Sequence, residues 1–337
     1  MTSTTHPETD HQSAVKFVRE HNRMAIMSHV NPDADAIGSS LGLALGLRAL
    51  GKDTSVVLSD PVPRYCRFLP GAEDILAALP ADLDALICAD AAGIDRVGTL
   101  YTKNPRPFAE LPILNLDHHQ TNPRYGTVNL VEPQASSTSE LSYRLLLQLG
   151  APIDAGTATA LLFGIVGDTG SFRNGATTPG SLSASSELVE LGADVQRIAF
   201  ALFEAKSFAA ARLWGRIISC ITLDRERHIV FGDVTQAMLR EEGAESDDAE
   251  GVAEYLRGVE EAEVVMLLKE TPEGEVRVSM RSRPGVDVSI VAASFGGGGH
   301  RQAAGCTLPG PLDAARTQLV GAYDTLNDAA HRHSGSR

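Results

Sequence analysis

A short motif near the N-terminus combines an imidazole with two carboxylates at close spacing. In the stretch His29-Val30-Asn31-Pro32-Asp33-Ala34-Asp35, the His and the two Asp residues occupy positions i, i+4 and i+6. The stretch follows Met24 to Met27, an apolar run typical of a short buried strand, and Asp35 stands where a helix N-cap is expected. One nitrogen and two hard oxygens at a strand end favour a divalent metal site, although Asp and His also occur in ordinary turns.

Three further apolar segments end in side chains of the same chemical type. They are Leu83 to Ala89 before Asp90, Leu111 to Leu116 before Asp117-His118-His119, and Leu161 to Gly167 before Asp168. The first two alternate with helical patterns, which predicts strands of a parallel sheet, whereas the third is expected inside a helix. Because ligands bind beyond the carboxyl ends of such strands, we expect these side chains to converge.

Helix signals complete the alternation in the first half of the chain. A helix from Asp35 to Leu50 is expected to stop at Gly51, and its three interior glycines are interpreted as permitting close approach to the sheet. Ser137-Thr138-Ser139-Glu140 has the pattern of a capping box and predicts a helix through Leu149. The helix that carries the third apolar segment is expected to begin at Asp154.

The composition is that of a globular protein without a membrane span. The 337 residues are enough for two ordinary domains. No apolar run is long enough to cross a bilayer, and the polar N-terminus lacks the apolar segment of a signal peptide. The four cysteines are widely spaced and favour a reducing cytoplasm. The formal net charge of −14 disfavours tight binding of long double-stranded nucleic acid.

The order of the patterns predicts an α/β chain with two domains. We expect a disordered tail over residues 1–12, a parallel-sheet domain over 13–192, a helical linker over 193–211 and a smaller α/β domain over 212–331. One long helical stretch from Val195 to about Cys220 is expected to connect the two domains.

The second domain contains a predicted β-hairpin and a glycine-rich segment. Glu263 to Lys269 and Glu275 to Arg281 are typical of paired strands. A short helix from Asp287 to Ser294 is expected to lead into the segment Gly296 to Gly305.

Four carboxylates that converge in one cleft need compensating positive charge. Two unit charges about 4 Å apart repel by about 4 kcal/mol at an effective dielectric constant of about 20. Protons or metals must neutralise them, and two divalent ions balance four carboxylates. The carboxylates are Asp33, Asp35, Asp90 and Asp168, and the imidazoles that complete the shells are His29 and His118. This mixed nitrogen and oxygen set suits Mn²⁺, with Mg²⁺, Co²⁺ or Fe²⁺ as alternatives, and predicts in-line attack of water on phosphorus.

The ordered set of motifs resembles the DHH phosphoesterases. The matching residues are His29-x-Asn31-Pro32-Asp33-x-Asp35-Ala36-Ile37-Gly38, Asp90, Asp117-His118-His119 and Asp168. The segment Gly296-Gly297-Gly298-Gly299-His300-x-x-Ala303-Ala304-Gly305 resembles the signature of the DHHA1 domain. Together with the length, the pattern is similar to the bacterial nano-RNase (oligoribonuclease) and pAp-phosphatase branch, close to the cyclic-dinucleotide phosphodiesterases.

The resemblance implies a role for each residue of the cluster. The metal ligands would be His29, Asp33, Asp35, Asp90, His118 and Asp168, with Asp90 and Asp168 bridging two metal ions. His119 would lie next to the scissile phosphate as an electrophile or proton donor. Asp117 would orient an imidazole through a hydrogen bond, or would simply be a turn residue at a strand end. A homodimer through the first domain is a further expectation from the family.

Substrate contacts are expected mainly in the second domain. Glycine N–H groups can approach a phosphate because no Cβ obstructs them, although four consecutive glycines would also suit a flexible loop. The candidate contacts are Gly297, Gly298, Gly299, His300, Arg301, Arg281 and Ser282, with Arg96 of the first domain as a further candidate. The alternative for Arg281 and Ser282 is that they are ordinary exposed residues at a strand end and do not contact substrate.

These inferences predict a cytoplasmic phosphodiesterase and phosphomonoesterase acting on short nucleotides. Candidate substrates are short oligoribonucleotides, linear dinucleotides and 3′-phosphoadenosine 5′-phosphate (pAp), and the first alternative is a cyclic di-AMP phosphodiesterase. An inorganic pyrophosphatase or exopolyphosphatase would share the Asp-His-His motif but not the glycine-rich segment. A metal-dependent nucleotide sensor without turnover is the alternative outside the enzymes.

Overall fold

The structure, a computed structural model, describes residues 7–334 of the chain. The contacts within the chain divide it into two compact units, with the boundary between Ala205 and Lys206. This boundary falls inside the segment that was expected to be the linker. None of the helices between Pro7 and Ser334 has the length and apolar character that crossing a bilayer requires.

The first unit is built on a five-stranded parallel sheet. Its strands are β1 (Arg23–Met27), β2 (Asp53–Val57), β3 (Ala85–Ala89), β4 (Ile113–Asp117) and β5 (Val128–Val131). The strand order is β2-β1-β3-β4-β5, and every neighbouring pair is parallel. The predicted parallel sheet is therefore confirmed, and β5 is a strand that the sequence patterns did not reveal.

Helices and short turns surround this sheet. The helices are α1 (Pro7–Glu20), α2 (Ala34–Ala49), α3 (Thr99–Lys103), α4 (Pro105–Glu110), α5 (Thr138–Leu149), α6 (Ala155–Asp168), α7 (Pro179–Glu190) and α8 (Val195–Ala199). The 3₁₀ turns are Arg64–Cys66, Ala72–Asp74 and Ile94–Val97, and a π-helical turn spans Phe200–Glu204. Residues 7–12 belong to α1, so the prediction of a disordered tail is wrong for them, and residues 1–6 lie outside the described part.

The interior glycines of α2 face helices rather than the sheet. A Cβ at Gly38 would lie 2.6 Å from the Ala160 carbonyl oxygen of α6, and one at Gly42 would lie 2.5 Å from the Leu161 side chain. The third, Gly46, faces α5. The expectation that these glycines approach the sheet is therefore wrong, because the side of α2 that carries them packs on α6 and α5.

The predicted long helix between the units is interrupted. After the π-helical turn, Ala205 is extended, with φ −63° and ψ 108°. The Ser207 hydroxyl then accepts a hydrogen bond from the Ala210 N–H and begins a new helix, α9 (Phe208–Ser219). The prediction of one continuous helix from Val195 to Cys220 is therefore wrong, because a second N-cap lies inside this range.

The second unit combines a six-stranded mixed sheet with helices. Its strands are β6 (Thr222–Asp224), β7 (Ile229–Val234), β8 (Val264–Glu270), β9 (Glu275–Ser282), β10 (Gly298–His300) and β11 (Ala303–Pro309), in the order β10-β11-β9-β8-β7-β6. Its remaining helices are α10 (Gln236–Glu242), α11 (Val252–Leu256), α12 (Val288–Ser294) and α13 (Leu312–Ser334), with a 3₁₀ turn at Ser246–Ala249. The predicted β8–β9 hairpin is confirmed as an antiparallel pair.

Candidate metal centre

The loops after β1, β3 and β4 and the end of α6 bring the predicted metal ligands together. Asp33 is the N-cap of α2, because its Oδ1 accepts hydrogen bonds from the N–H groups of Asp35 and Ala36 at 3.0 Å. The expectation that Asp35 would cap this helix is therefore wrong: Asp35 lies inside the first turn and its carboxylate points elsewhere. Asp168 is the last residue of α6.

Asp90 occupies the centre of the cluster. Its Oδ2 lies 3.5 Å from the His29 Nε2, and its Oδ1 lies 3.6 Å from the His118 Nε2. The residue adopts a left-handed backbone conformation with φ 58°, which is uncommon for a residue with a side chain. The two Asp90 oxygens thus face two different imidazoles, an arrangement compatible with a carboxylate shared by two cations.

The remaining ligands fall into two groups around Asp90. His29 Nε2 lies 3.8 Å from the Asp33 Oδ1, and His118 Nε2 lies 3.1 Å from the Asp168 Oδ2 and 4.0 Å from the Asp35 Oδ2. The two groups with ligand atoms within 4.8 Å of one another are His29, Asp33 and Asp90, and Asp35, His118 and Asp168; a third group, Asp90, His118 and His119, overlaps both. Asp168 is placed with the His118 group, and its predicted bridging role stays a prediction.

These distances suit divalent cations. For metal–ligand bonds of about 2.1 Å, neighbouring ligand atoms lie about 3.0–3.4 Å apart. The nitrogen–oxygen distances in the two groups, from 3.1 to 4.0 Å, are close to this range without any bound ion. The His29 Nδ1 is hydrogen-bonded to the Val30 carbonyl oxygen at 2.8 Å. That bond fixes the tautomer and leaves Nε2 as the candidate ligand atom.

The electrostatics of the cluster show a strong demand for positive charge. Burial opposes protonation of His29, but hydrogen bonds to Asp33 and Asp90 and their negative charges raise its pKa to about 11. Burial likewise opposes protonation of His118, and the carboxylates, chiefly Asp168, raise its pKa to about 10. Burial raises the pKa of Asp168 to about 6. A divalent cation satisfies the same demand without protons.

The start of α5 holds the Asp35 carboxylate. The Thr138 N–H donates to Asp35 Oδ2 at 2.6 Å, and the Ser139 N–H donates to Oδ1 at 2.9 Å. Sequence reasoning identified the start of this helix but missed its link to Asp35. The signal was the run of hydroxyl residues at a helix start, since the N–H groups of a first turn bind anions. Glu140 does not complete a capping box with Ser137, because its carboxylate accepts from Ser136 instead.

Asp117 orients His119, as the resemblance implied. The His119 Nδ1 lies 2.8 Å from Asp117 Oδ1, which also accepts from the His118 N–H at 2.9 Å. The Asn122 amide donates to Asp117 Oδ2 at 2.5 Å. Asp117 is fully buried, and burial alone would raise its pKa, but the hydrogen bonds from His119 and Asn122 and the charges of the two imidazoles lower it. Asn122 is a residue of this network that the sequence analysis did not single out.

Arg96 lies in the 3₁₀ turn after β3 and has an exposed side chain. Its carbonyl oxygen accepts a hydrogen bond from the Val30 N–H at 2.8 Å, next to His29. The main chain of Arg96 therefore supports the first ligand loop, and substrate contact by its guanidinium stays a prediction.

The glycine-rich segment of the second unit is a β-hairpin rather than a flexible loop. β10 pairs with β11 through Gly298–Gly305, Gly299–Ala304 and His300–Ala303. The Gly297 N–H donates to the Ala292 carbonyl oxygen at 2.9 Å, at the end of α12. The prediction that the Gly297 N–H contacts phosphate is therefore wrong, because this N–H already donates to Ala292. A Cβ at Gly297 would lie 2.2 Å from the Gly305 carbonyl oxygen, which explains the glycine by close packing.

The other predicted substrate residues of the second unit differ in their access to solvent. His300 and Arg301 are exposed, and the Arg301 Nε lies 3.3 Å from Asp287 Oδ2. Arg281 is partly buried, with its Nε 3.5 Å from Glu254 Oε2. Ser282 is fully buried and its hydroxyl donates to the Val286 carbonyl oxygen at 2.7 Å. Substrate contact by Ser282 is therefore wrong, because its side chain faces the interior of the unit.

Comparisons with known proteins agree with the motifs. The family profile described as "DHH family, N-terminal domain" matches residues 23–165, and the DHHA1 domain profile matches residues 232–329. The bifunctional oligoribonuclease and PAP phosphatase NrnA of Thermus thermophilus is 39% identical over 304 residues, which cover 88% of this chain and 87% of that protein. The NrnA protein of Bacillus subtilis is 25% identical over 87% of this chain and 92% of its own length.

Two further similarities extend the comparison. The cyclic-di-AMP phosphodiesterase GdpP of Bacillus subtilis is 28% identical over 88% of this chain, but the match spans 46% of that protein. The crystal structure of an exopolyphosphatase-related protein from Bacteroides fragilis superposes with a TM-score of 0.89 at 25% identity, covering 96% of this chain and 98% of that one.

Proposed function

The chain belongs to the DHH family of phosphoesterases, which are hydrolases of phosphoester bonds that depend on divalent metal ions, and from this premise we propose that it cleaves short oligoribonucleotides and pAp to mononucleotides. One observation carries the proposal. The six candidate ligands form two groups, each able to hold one cation, and Asp90 of the first group also faces His118 of the second, in a chain that is 39% identical to an oligoribonuclease and PAP phosphatase.

The proposed metal ligands are the six residues expected from the sequence, and Mn²⁺ is the proposed ion. Mixed imidazole and carboxylate ligands without thiolate suit this metal, with Mg²⁺, Co²⁺ or Fe²⁺ as alternatives. Bound divalent ions supply two things to phosphoester hydrolysis, which are activation of water and neutralisation of phosphate charge.

The side chains of the cluster have separate tasks in this proposal. His29 and His118 each present Nε2 to the cluster, where their distances to the carboxylates allow coordination. His119, held through Nδ1 by Asp117, is the proposed donor of a hydrogen bond or a proton to a phosphate oxygen. In the second unit, His300 and Arg301 are the proposed contacts for the nucleotide.

A side-by-side assay tests the proposal. The purified chain is incubated with Mn²⁺ and, separately, a diribonucleotide, a pentaribonucleotide, pAp, cyclic di-AMP and pyrophosphate. Turnover of the linear nucleotides and pAp, lost in EDTA and in Asp90→Ala, is expected. Absence of turnover on all of them with Mn²⁺, Mg²⁺ and Co²⁺ would contradict the proposal and favour a binding protein.

The second candidate is a cyclic di-AMP phosphodiesterase. The observation in its favour is the 28% identity to a protein of that activity over 88% of this chain. A preference for cyclic di-AMP over the linear dinucleotide in the same assay would select it. Turnover of pyrophosphate alone would select the pyrophosphatase alternative. The homodimer expected from the family belongs to this proposal too, and light scattering of the purified chain measures it.

A further inference from the structure

The first residue of α5 contacts two of the proposed metal ligands at once. The Thr138 N–H donates to Asp35 Oδ2 at 2.6 Å, and the Thr138 hydroxyl donates to Asp90 Oδ1 at 3.1 Å. Asp35 and Asp90 come from different parts of the chain, since one belongs to α2 and the other follows β3. Thr138 therefore contacts one residue in each of the two groups of proposed ligands.

The position of Thr138 is itself fixed by the helix start. The Ser137 hydroxyl accepts from the Glu140 N–H at 3.0 Å and caps α5. Capping orients the free N–H groups of the first turn, and here two of them point at Asp35. Thr138 is fully buried and β-branched, so its χ1 angle is restricted and its hydroxyl has a defined direction.

The hydroxyl of Thr138 donates a hydrogen bond to one of the two Asp90 oxygens. A carboxylate rotates readily about its last torsion unless a hydrogen bond holds it. The bond to Oδ1 fixes that torsion with Oδ2 toward His29 and Oδ1 toward His118. A ligand held in its binding orientation loses less conformational entropy when a cation binds.

We propose that Thr138 is a positioning residue that holds Asp35 and Asp90 in their cation-binding orientation and thereby raises the affinity of the site for divalent metal. The inference rests on the proposed function, because it requires that the cluster binds metal. The hydrogen bond from the Thr138 N–H to Asp35 does not depend on the side chain at this position. The hydrogen bond from the Thr138 hydroxyl to Asp90 can be removed by substitution.

The test compares Mn²⁺ binding to the full chain, by calorimetry without substrate, in the wild type and three variants. Thr138→Val keeps the shape and removes the donor, and Thr138→Ser restores the donor. Thr54→Val is the matched control, because Thr54 is also buried in the first unit and donates to the Ala44 carbonyl oxygen at 3.1 Å. Unfolding in EDTA reports the stability of each variant separately from binding.

Thr138→Val is expected to weaken Mn²⁺ binding on the order of tenfold, the usual effect of removing a hydrogen bond to a metal ligand. Thr138→Ser should regain most of the affinity, and Thr54→Val should bind as the wild type does. Should Thr138→Val not fold, Thr138→Ala supplies the same comparison. Equal affinity in the wild type and the folded donor-less variant would overturn this inference alone, whereas a wild type that binds no Mn²⁺ would overturn the proposed function.

Discussion

The Asp117 carboxylate accepts a hydrogen bond from His119 Nδ1 at 2.8 Å, and it accepts two further hydrogen bonds that an asparagine could not accept as well. The three donors are the His119 ring, the His118 N–H and the Asn122 amide. An ionised carboxylate accepts all of them, whereas an asparagine amide offers one oxygen and adds two hydrogens. The orientation of His119 therefore depends on the charge of Asp117 as well as on its shape.

Asp117→Asn is expected to lower kcat on the order of tenfold or more while Mn²⁺ affinity changes little, because His119 loses its orienting partner. Single-substrate kinetics and calorimetry measure the two quantities. Asp154→Asn is a suitable control, since Asp154 only caps α6 and asparagine is an equally good N-cap. A wild-type kcat in Asp117→Asn would show that His119 needs no such partner.

Addition of Mn²⁺ is expected to stabilise the folded chain. A cation that binds only the folded state stabilises it by about 2.7 kcal/mol at a concentration 100 times its Kd, which thermal unfolding detects as a raised Tm. Asp90→Ala should abolish both this rise and turnover while remaining folded in EDTA, because it removes a shared ligand rather than an apolar core group. Asp53→Ala, at the exposed start of β2, should respond to Mn²⁺ like the wild type. Half of the wild-type activity in Asp90→Ala at saturating Mn²⁺ would contradict the assignment of Asp90.

Gly164→Ala is expected to damage the cluster through α6. A Cβ at this position would lie 1.9 Å from the Ser139 hydroxyl oxygen and 2.7 Å from Asp35 Oδ1. Overpacking of this kind costs about 1–3 kcal/mol, which urea unfolding measures, and Mn²⁺ binding should weaken as well. Gly215→Ala in α9 is the control: a Cβ there meets nothing within 4 Å. It should therefore stabilise the chain by about 0.5–1 kcal/mol. Equal effects of the two substitutions would refute the packing argument.

Glu132 is expected to stabilise the first unit in a pH-dependent way. It lies 2.6 Å from the His11 Nε2 and 2.6 Å from the Arg144 Nη2. Burial opposes its ionisation, but the hydrogen bond from His11 and the charge of Arg144 outweigh burial and lower its pKa. A lowered folded-state pKa stabilises the fold above the unfolded value of about 4.3, and this stabilisation is lost as pH falls through the folded value.

Glu132→Gln should therefore lower the free energy of unfolding at neutral pH by about 1–3 kcal/mol, and the difference from wild type should shrink as the pH falls below about 4. Urea titrations at several pH values measure this. Glu110→Gln removes an exposed pair with Arg106 and should change stability little. A difference that is independent of pH would assign the effect to packing instead.

His300→Ala is expected to raise KM more than it lowers kcat, since the proposed task of His300 is to hold substrate rather than to react. Initial rates over a range of dinucleotide concentrations separate the two constants. His228→Ala removes another exposed histidine of the second unit and should leave both unchanged. An unaltered KM in His300→Ala would remove His300 from the substrate contacts.

The convergence of the candidate metal ligands was largely predictable because the residues that form the cluster lie in short local motifs. Each ligand follows an apolar run of strand or helix type, and the rule that parallel strands end at one edge brings them together. β5 was missed because it has four residues and a polar Asn129 at its centre. The N-cap of α2 was misplaced by two residues because Asp33 and Asp35 are chemically equivalent candidates, and only their hydrogen bonds distinguish them.

The contacts that support the cluster were not predictable from spacing. Thr138 meets Asp35 and Asp90 across 103 and 48 residues of sequence, and no local pattern encodes such a pairing. Ser282 and Gly297 were misjudged for the opposite reason. Both have residue types that suit ligand binding, but the Ser282 hydroxyl already donates to the Val286 carbonyl oxygen before α12, and the Gly297 N–H already donates to Ala292 in α12.

The close packing of α2 on α6 has a consequence for motion. Asp35 lies in the first turn of α2, Asp168 is the last residue of α6, and a Cβ at Gly167 beside it would lie 2.4 Å from that of Ala34. The separation of these two carboxylates is thus set by the packing of two helices against each other and not by the conformation of loops. Amide hydrogens in the middle of both helices should consequently exchange with solvent among the slowest of the first unit.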